Sequence, residues 1–162
     1  MNPSAKFGKG WMSDKVWRQV KRSMSIPCVD VIVESAKGEI LLGWRKIPPY
    51  QNVWAPPGGR VLRGETLREA ARRVLDEYGL AAGTLYLVGV FPVKFPTRAD
   101  LAICLASVQP RGVPHPDGVE FSSFKWTKRL PSKIGANYRR MILKWRHLRR
   151  FDKEGMRFAA LK

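Results

Sequence analysis

The sequence predicts an α+β fold in which a mixed β-sheet lies between helices. Several short segments rich in β-branched and aromatic residues are separated by glycines and prolines, which is typical of strands. Two longer segments repeat their apolar residues at a helical period. Because strands come both early and late in the chain with helices between them, the helices are expected to cover a shared sheet.

The first predicted element is a short amphipathic helix. Ser13 is a suitable N-cap, and Val16, Trp17 and Val20 share one face of the helix that follows. Pro27 ends it, since proline cannot continue a helix without loss of a backbone hydrogen bond.

A β-hairpin and a loop come next. Residues 28–34 and 39–45 are β-rich runs, and the short connection between them contains Gly38. Residues 46–59 contain four prolines and are predicted to form a loop.

The central helix is predicted from about Thr66 to Tyr78 and stops before Gly79, a residue type common just beyond helix ends. Its apolar residues form one complete stripe along a single face. They are Leu67, Ala70, Ala71, Val74, Leu75 and Tyr78.

The second half of the chain predicts three more strands and a last helix. Residues 84–95, 100–109 and 121–128 are β-rich, and residues 110–118 form a turn-rich loop. Residues 134–151 repeat their apolar positions at a helical period, with basic residues between them. These apolar residues are Tyr138, Met141, Ile142, Trp145 and Leu148, and the basic ones predicted to be largely solvated are Arg139, Arg140, Lys144, Arg146, Arg149 and Arg150.

Length and composition indicate a single globular domain. The 162 residues are enough to bury a core, and 44% hydrophobic with 27% charged residues exclude a disordered chain. No apolar run approaches the roughly 18 residues of a membrane span, and no secretory signal is evident. We therefore expect a cytoplasmic protein, with a basic transit peptide left open and with Cys28 and Cys104 as buried free thiols.

The net charge of +17 is concentrated at the two ends of the chain. Residues 1–24 hold six basic residues and one acid, and residues 125–162 hold thirteen basic residues and two acids. The segment between them is nearly neutral. Cationic ends favour polyanions such as nucleic acid, an anionic membrane surface or a phosphorylated ligand. A solvated surface that aids solubility is the alternative.

Carboxylates near the central helix could hold a divalent cation. Mg²⁺ prefers several oxygen ligands in octahedral geometry. If Glu65 and the Gly58–Gly59 turn supply some of them, Glu77, on the flank of the apolar stripe, is best placed to add another. Asp76 is second, because it points away from that stripe. A solvated acidic face is the other interpretation.

The segment GGRVLRGETLREAARRVLDEYGL, residues 58–80, resembles the signature of the Nudix hydrolases, G-x5-E-x7-R-E-U-x-E-E-x-G-U, where U is aliphatic. WAPPGG before it and EFSSFKW after it also fit that family. Residues 29–61, VDVIVESAKGEILLGWRKIPPYQNVWAPPGGRV, are most similar to the GDP-mannose mannosyl hydrolase branch, and IGANYRRMIL resembles its C-terminal helix.

The resemblance covers about residues 26–145 and implies a Nudix-like α/β/α sandwich. It divides the chain into a basic helical segment at 1–24, a core at 25–133 and a basic helix and tail at 134–162 that pack on the core. It also implies Mg²⁺ as cofactor, with Mn²⁺ as a substitute. The implied metal positions are Gly58, Gly59, Glu65, Asp76, Glu77 and Glu120.

Two departures from the family pattern bear on catalysis. The signature helix is one residue short near Ala71, so Arg72 takes the signature arginine and Arg73 replaces a glutamate that often binds metal. Phe121 falls where the branch has the histidine thought to activate water. The resemblance therefore assigns catalytic roles to Glu120 and Glu77. His115 is a substitute base or only a surface residue.

The resemblance also implies substrate contacts. Arg45 and Arg60 match two arginines that contact the leaving diphosphate, where guanidinium groups stabilise developing negative charge. Asp30 matches a substrate-contacting aspartate, although a strand carboxylate can also be structural. Trp54 is expected at the edge of the site, as core or as a stacking wall for a base.

The leading functional hypothesis is a Mg²⁺-dependent Nudix hydrolase of a nucleoside diphosphate derivative, in particular a nucleotide sugar resembling GDP-mannose. One alternative is an RNA 5′-end pyrophosphohydrolase, and another is a non-catalytic module that binds RNA or a ribonucleoprotein. Both would use weak nucleic-acid binding by the basic ends. A homodimer and a monomer both stay open.

Overall fold

A computed structural model describes residues 12–152, and in this part of the chain nine strands and three helices form the fold. The strands are β1 (Ile26–Glu34), β2 (Ile40–Arg45), β3 (Val53–Ala55), β4 (Gly58–Arg60), β5 (Leu80–Ala81), β6 (Thr84–Phe95), β7 (Arg98–Val108), β8 (Arg111–Gly112) and β9 (Phe121–Thr127). The helices are α1 (Asp14–Ser23), α2 (Leu67–Asp76) and α3 (Ala136–Asp152). None of these helices is long and apolar enough to cross a membrane.

The main sheet is mixed, as predicted. Its strand order is β3-β2-β1-β7-β6, with β4 paired to β1 and β9 paired to β2. The central pair, β1 and β7, is parallel from Ile26 opposite Asp100 to Glu34 opposite Val108, and the other pairs are antiparallel. A separate short ribbon joins β5 to β8.

Helices α2 and α3 belong to the two cores on opposite faces of the sheet. Successive side chains of a strand point to opposite faces, so Val29, Val31 and Val33 of β1 join the cluster that includes α2. Ile32, between them, joins the cluster that contains Met141 of α3. The predicted α/β/α sandwich is confirmed. Burial also keeps both cysteines as free thiols and raises the pKa of Cys28 to about 12.

Helix α2 agrees closely with its sequence pattern. The Thr66 side chain accepts a hydrogen bond from the Glu69 amide, and the Glu69 side chain accepts one from the Thr66 amide. The two residues therefore form a capping box. The predicted apolar stripe is buried apart from Leu67, which is half-buried. Gly79 has φ 74°, a left-handed conformation that favours glycine just after a helix.

The predicted loop at residues 46–59 was wrong in part, because it contains β3 and β4. Its prolines lie outside these short strands and do not interrupt them. Gly58 pairs with Asp30 of β1, and a Cβ atom at Gly58 would lie 2.5 Å from an Asp30 carboxylate oxygen. The glycine therefore leaves room for the Asp30 carboxylate. Similarly, the predicted loop at 110–118 contains the two residues of β8.

Helix α3 begins at Ala136, not Ile134, because Ile134 forms a β-bridge with Trp54. The prediction that Arg149 is largely solvated was wrong. Its guanidinium donates to the buried Glu34 carboxylate at 3.0 and 3.2 Å, and Trp145 Nε1 donates to the same carboxylate at 2.6 Å. A carboxylate buried at the end of β1 requires such partners.

Two other basic side chains of α3 have partners as well. Arg139 donates to the carbonyl of Pro131, and Arg146 donates to the carbonyl of Lys128. Arg140, Lys144 and Arg150 are exposed, as predicted. The remaining parts of the basic ends, residues 1–11 and 153–162, lie outside the described residues.

Candidate active site

A cavity of about 810 Å³ lies between the sheet and parts of all three helices. Its floor continues the sheet face that packs on α3, with Asp30 of β1, Val93 of β6 and Ala102 of β7. Tyr138 and Met141 of α3 line one side. The volume is within the range usual for sites that enclose a small ligand.

Arg45 and Glu120 form an ion pair in the cavity wall. Arg45 ends β2 and Glu120 precedes β9, and antiparallel pairing of these strands brings the two side chains together. Arg45 Nε also donates to the Ile47 carbonyl at 3.1 Å. Burial raises the pKa of Glu120, Arg45 opposes the rise, and the nearby carboxylates Asp117 and Glu77 add to it. Three carboxylates, those of Glu120, Asp117 and Glu77, thus lie near one another with one guanidinium, that of Arg45, and a bound cation would offset the remaining negative charge.

Arg73 of α2 joins three elements of the site. Its Nε and Nη2 donate to the two oxygens of Glu65 at 2.6 and 3.0 Å, and its Nη1 lies 3.4 Å from Glu77 Oε1. Nη2 also donates to the Arg60 carbonyl at 2.8 Å. The Arg73 guanidinium lowers the pKa of Glu65, and the Glu65 carboxylate raises the pKa of Arg73. Sequence reasoning noticed Arg73 only as a departure from a motif, although its four-residue spacing from Glu77 is a signal for such a pair.

Asp30 is a buried carboxyl group in the cavity floor. Burial raises its pKa to about 7; Asp100 and Glu120 raise it further, and Arg45 and Arg98 oppose them. Asp100 lies on neighbouring β7, where its Oδ2 accepts a hydrogen bond from Arg98 at 2.7 Å. The structure thus places the predicted substrate residue Asp30 in the cavity, at a position where its charge is costly.

The pKa of Asp30 predicts a stability change with pH. Because the folded-state pKa is above the 3.8 of an unperturbed aspartic acid, the stability contributed by the protonated form of Asp30 is lost as pH rises from about 4 to about 7. We expect Asp30→Asn to raise the free energy of unfolding at pH 8 by at least about 1.4 kcal/mol, the equivalent of one pKa unit. The difference should vanish near pH 4. Urea unfolding in EDTA at both pH values would measure it.

Asp76→Asn, which changes an exposed carboxylate, is the matched control for the Asp30 experiment and is expected to show no comparable gain. Equal stability of Asp30→Asn and the wild type at pH 8 would contradict the assignment of a costly buried charge.

The other predicted metal positions differ in their relation to the cavity. Gly58, Gly59, Glu77 and Glu120 line it. Glu65 is not among its lining residues, and both of its oxygens contact Arg73. Asp76 is exposed on the outer side of α2.

A divalent cation fits part of this donor set. Within residues 12–152, no three Asp, Glu, His or Cys side chains form a group that could hold a metal ion. Mg²⁺, however, is usually held by one or two carboxylates, with water and substrate phosphates in its other positions. Glu77 and Glu120, which line one cavity and interact electrostatically, fit that requirement. The donor set does not fit a cage made of protein ligands alone.

Three predicted or discussed residues lie away from the cavity lining. Trp54 contacts Trp44 edge-on at 5.3 Å, has Lys125 Nζ over its ring at 3.8 Å, and packs against the core cluster that contains α3. His115 is exposed and its ring lies beside Gly79. Phe121 is fully buried and packs against Tyr78 and Phe124, so it belongs to the core.

Several cavity residues were not identified from the sequence. They come from segments far apart in the chain, so only the fold reveals their proximity. They are Trp17 of α1, Tyr50, Phe95, Arg98, Asp100, Asp117 and Tyr138.

Comparison with known proteins gives a family match and a matching fold. The NUDIX domain model matches residues 24–134. A putative 8-oxo-dGTP diphosphatase of Bacillus subtilis is 36% identical over 115 residues, which cover 69% of this chain and 74% of that protein. The low-salt glycan biosynthesis protein Agl8 of Haloferax volcanii is 36% identical over 64 residues, only 40% of each chain. A MutT NUDIX hydrolase from Burkholderia pseudomallei superposes with a TM-score of 0.70 at 20% identity, over 75% of this chain and 98% of that one.

Proposed function

The chain belongs to the NUDIX domain family, and we propose that it is a Mg²⁺-dependent hydrolase of a nucleoside diphosphate linked to a second group, in particular a nucleotide sugar. The proposal rests on one observation: a single cavity is lined by Arg45, Arg60, Glu77 and Glu120. Two guanidinium groups suit a diphosphate, and two carboxylates suit the cation that accompanies it.

Each of these residues has a separate task in the proposed reaction. Arg45 and Arg60 bind the diphosphate and stabilise the negative charge that develops on the leaving group. Glu77 and Glu120 would hold the divalent cation, which polarises the phosphoryl oxygens when it is bound. Glu120 also orients the attacking water by accepting its hydrogen bond. Mn²⁺ suits the same oxygen ligands.

Two observations support a nucleotide sugar of the GDP-mannose type. Residues 29–61 resemble the GDP-mannose mannosyl hydrolase branch, and they supply Asp30, Arg45 and Arg60 to the cavity. The name of the Haloferax relative places that protein in glycan biosynthesis. The name of the Bacillus relative, by contrast, supports a nucleoside triphosphate as the competing substrate.

The bond that is cut can be identified with isotopically labelled water. Because Phe121 is buried in the core and cannot accept a proton, we expect attack at phosphorus, with release of a nucleoside monophosphate and a sugar phosphate. Nucleotide sugars, nucleoside triphosphates and capped or triphosphorylated RNA would be incubated in ¹⁸O water with Mg²⁺, and the products identified by mass spectrometry.

Label in phosphate would support this expectation, whereas label in a free sugar would show attack at carbon. In that case His115→Ala would test the substitute base. Absence of hydrolysis of every diphosphate compound would contradict the proposed activity.

A second candidate function, binding of RNA, is favoured by the exposed basic residues of α3. On a chain of net charge +17, this helix presents three exposed cations along its length. They are Arg140, Lys144 and Arg150. Dense positive charge binds phosphate backbones without reading sequence.

Replacing these three residues with glutamate is expected to abolish weak, sequence-independent RNA binding and to leave hydrolysis of a small substrate unchanged. Arg146 is retained because it donates to the Lys128 carbonyl. Arg149 is retained because Arg149→Glu would place a second carboxylate beside Glu34. Binding of a labelled single-stranded RNA would be measured from 50 to 300 mM salt, and the wild-type affinity should fall steeply with salt.

The control reverses three exposed basic residues elsewhere on the surface and should weaken binding less. They are Arg63, Lys94 and Arg111. Wild-type binding that survives high salt or discriminates sequences would favour a nucleic-acid substrate over a nucleotide sugar. Equal losses in the two triple variants would show that α3 has no special role.

A further inference from the structure

Helix α1 contributes an aromatic residue to the cavity from outside the catalytic domain core. The family model begins at residue 24, and α1 covers Asp14–Ser23. The Ser13 side chain caps this helix by accepting a hydrogen bond from the Val16 amide at 3.4 Å. Trp17, in its first turns, is one of the residues that line the cavity.

Burial in the core does not account for the position of Trp17. None of the residues of α1 is buried, and Val16, its neighbour in the predicted apolar face, is 45% exposed. The described contact of Trp17 with the domain is a cation–π interaction. Cζ of Arg60 lies over the indole ring, 4.1 Å from its centre, and Lys21 Nζ lies 5.6 Å from the same centre.

Arg60 is held at a place where its charge is disfavoured. Burial lowers its pKa to about 10, and the nearby Arg98 lowers it further, while Cys28 and Asp100 oppose these effects. Its backbone is fixed by pairing with Cys28 of β1 and by the hydrogen bond from Arg73 to its carbonyl. The electron-rich face of an indole ring stabilises a guanidinium in such surroundings.

The geometry of this contact suits an arginine that also binds phosphate. A guanidinium whose Cζ lies over a ring can still donate hydrogen bonds from its N–H groups to phosphate oxygens. The ring also restricts the conformations of a long, flexible side chain, so less conformational entropy is lost when a ligand binds.

We propose that Trp17 is a positioning residue that holds Arg60 for the diphosphate, so that α1 is part of the substrate site. This inference rests on the proposed function, in which Arg60 contacts the substrate diphosphate. Trp17 acts through Arg60, which binds the diphosphate and stabilises the leaving charge, so loss of Trp17 should weaken substrate binding and should lower turnover by less than loss of Arg60 itself.

Binding of inorganic pyrophosphate, measured by isothermal titration calorimetry in EDTA, tests the inference without catalysis. Trp17→Ala and Trp17→Leu are expected to weaken binding about three- to ten-fold, the range of a partly buried cation–π contact. Trp17→Phe keeps a ring and should stay within about two-fold of the wild type. Val16→Ala, on the same helix, is the control and should bind like the wild type.

A double-mutant cycle separates positioning from a merely structural role. In an Arg60→Ala background, Trp17→Ala should produce no further loss of pyrophosphate affinity, because its target is gone. With a hydrolysed nucleoside diphosphate derivative, Trp17→Ala should raise KM and should lower kcat less than Arg60→Ala does.

Three results would overturn the inference. One is wild-type pyrophosphate affinity in Trp17→Ala and Trp17→Leu. Another is a loss of affinity on Trp17→Ala that is equally large in the wild-type and Arg60→Ala backgrounds. The third is loss in Trp17→Phe as large as in Trp17→Leu. If the wild-type protein binds pyrophosphate neither in EDTA nor with Mg²⁺ present, the proposed diphosphate site fails together with the inference, which distinguishes that failure from the other three.

Discussion

Replacement of Glu77 or Glu120 by glutamine is expected to lower kcat roughly 100-fold or more, the largest effect of any single change in the protein. Both carboxylates line the cavity, and each adds to the negative charge near the other. Glutamine keeps the size of the side chain and removes the anionic oxygen that a hard cation requires. Steady-state kinetics at saturating Mg²⁺ would measure the effect.

Asp76→Asn is the matched control, since Asp76 is adjacent to Glu77 but exposed. It is expected to retain most activity. Titration with Mn²⁺, followed by electron paramagnetic resonance, should show weaker metal binding for Glu77→Gln and Glu120→Gln than for Asp76→Asn. Equal losses of kcat in all three variants would contradict a metal site formed by Glu77 and Glu120 in the cavity wall.

Glu65→Gln gives a separate test of the signature glutamate. Sequence resemblance assigns it to the metal, whereas its contacts in the structure are with Arg73 and the Leu62 amide. If Glu65 acts by holding Arg73, its substitution should reduce stability as well as activity and leave Mn²⁺ affinity nearly unchanged. A loss of Mn²⁺ affinity equal to that of Glu77→Gln would restore the metal role.

Local patterns predicted the fold well where one physical effect dominates. The apolar stripe of α2 and the start of the helix at about Thr66 were predicted because burial of one face imposes a helical period on neighbouring residues. The short strands β3 and β4 were missed because three residues show no reliable alternation, and β4 also pairs with β1, which is not its neighbour in the chain.

The candidate site was only partly predictable for the same reason. Arg45, Arg60 and Glu120 were identified through a family resemblance, and the structure places all three in the cavity wall. Trp17 was interpreted only as part of an amphipathic face, since its neighbour Arg60 is more than forty positions away in sequence. A helical period indicates which face of a helix is apolar, but it does not indicate what that face contacts.

The charged surface of α3 shows a different limit. Helical periodicity placed Arg149 among solvated residues, because it falls between apolar positions. The buried Glu34 at the end of β1 changes that expectation, since it attracts the guanidinium from the edge of the helix. A long side chain can follow an ion partner in this way while its Cα remains on the polar face.

Replacement of Arg73 by alanine is expected to be the second most damaging change, because one guanidinium supports three parts of the site. It contacts Glu65, Glu77 and the backbone of Arg60, and it is itself 27% exposed. Without it, Glu65 keeps the Leu62 amide but loses both guanidinium hydrogen bonds, and Glu77 loses its ion pair with Arg73. We expect unfolding to become easier by roughly 1 to 3 kcal/mol, the cost of leaving partly buried groups unpaired.

Activity should fall in Arg73→Ala as well, because Glu77 and the backbone of Arg60 each lose a contact with Arg73. Arg72→Ala provides a close control: Arg72 is the adjacent residue, and sequence alignment gives it the signature position, but its side chain is exposed. Arg73→Lys should restore only part of the stability, since an ammonium group cannot bond both oxygens of Glu65 in a planar fork. Urea unfolding and kcat for the three variants would be compared. Losses in Arg72→Ala that equal or exceed those in Arg73→Ala would show that the register of α2 at the site differs by one residue from the one described.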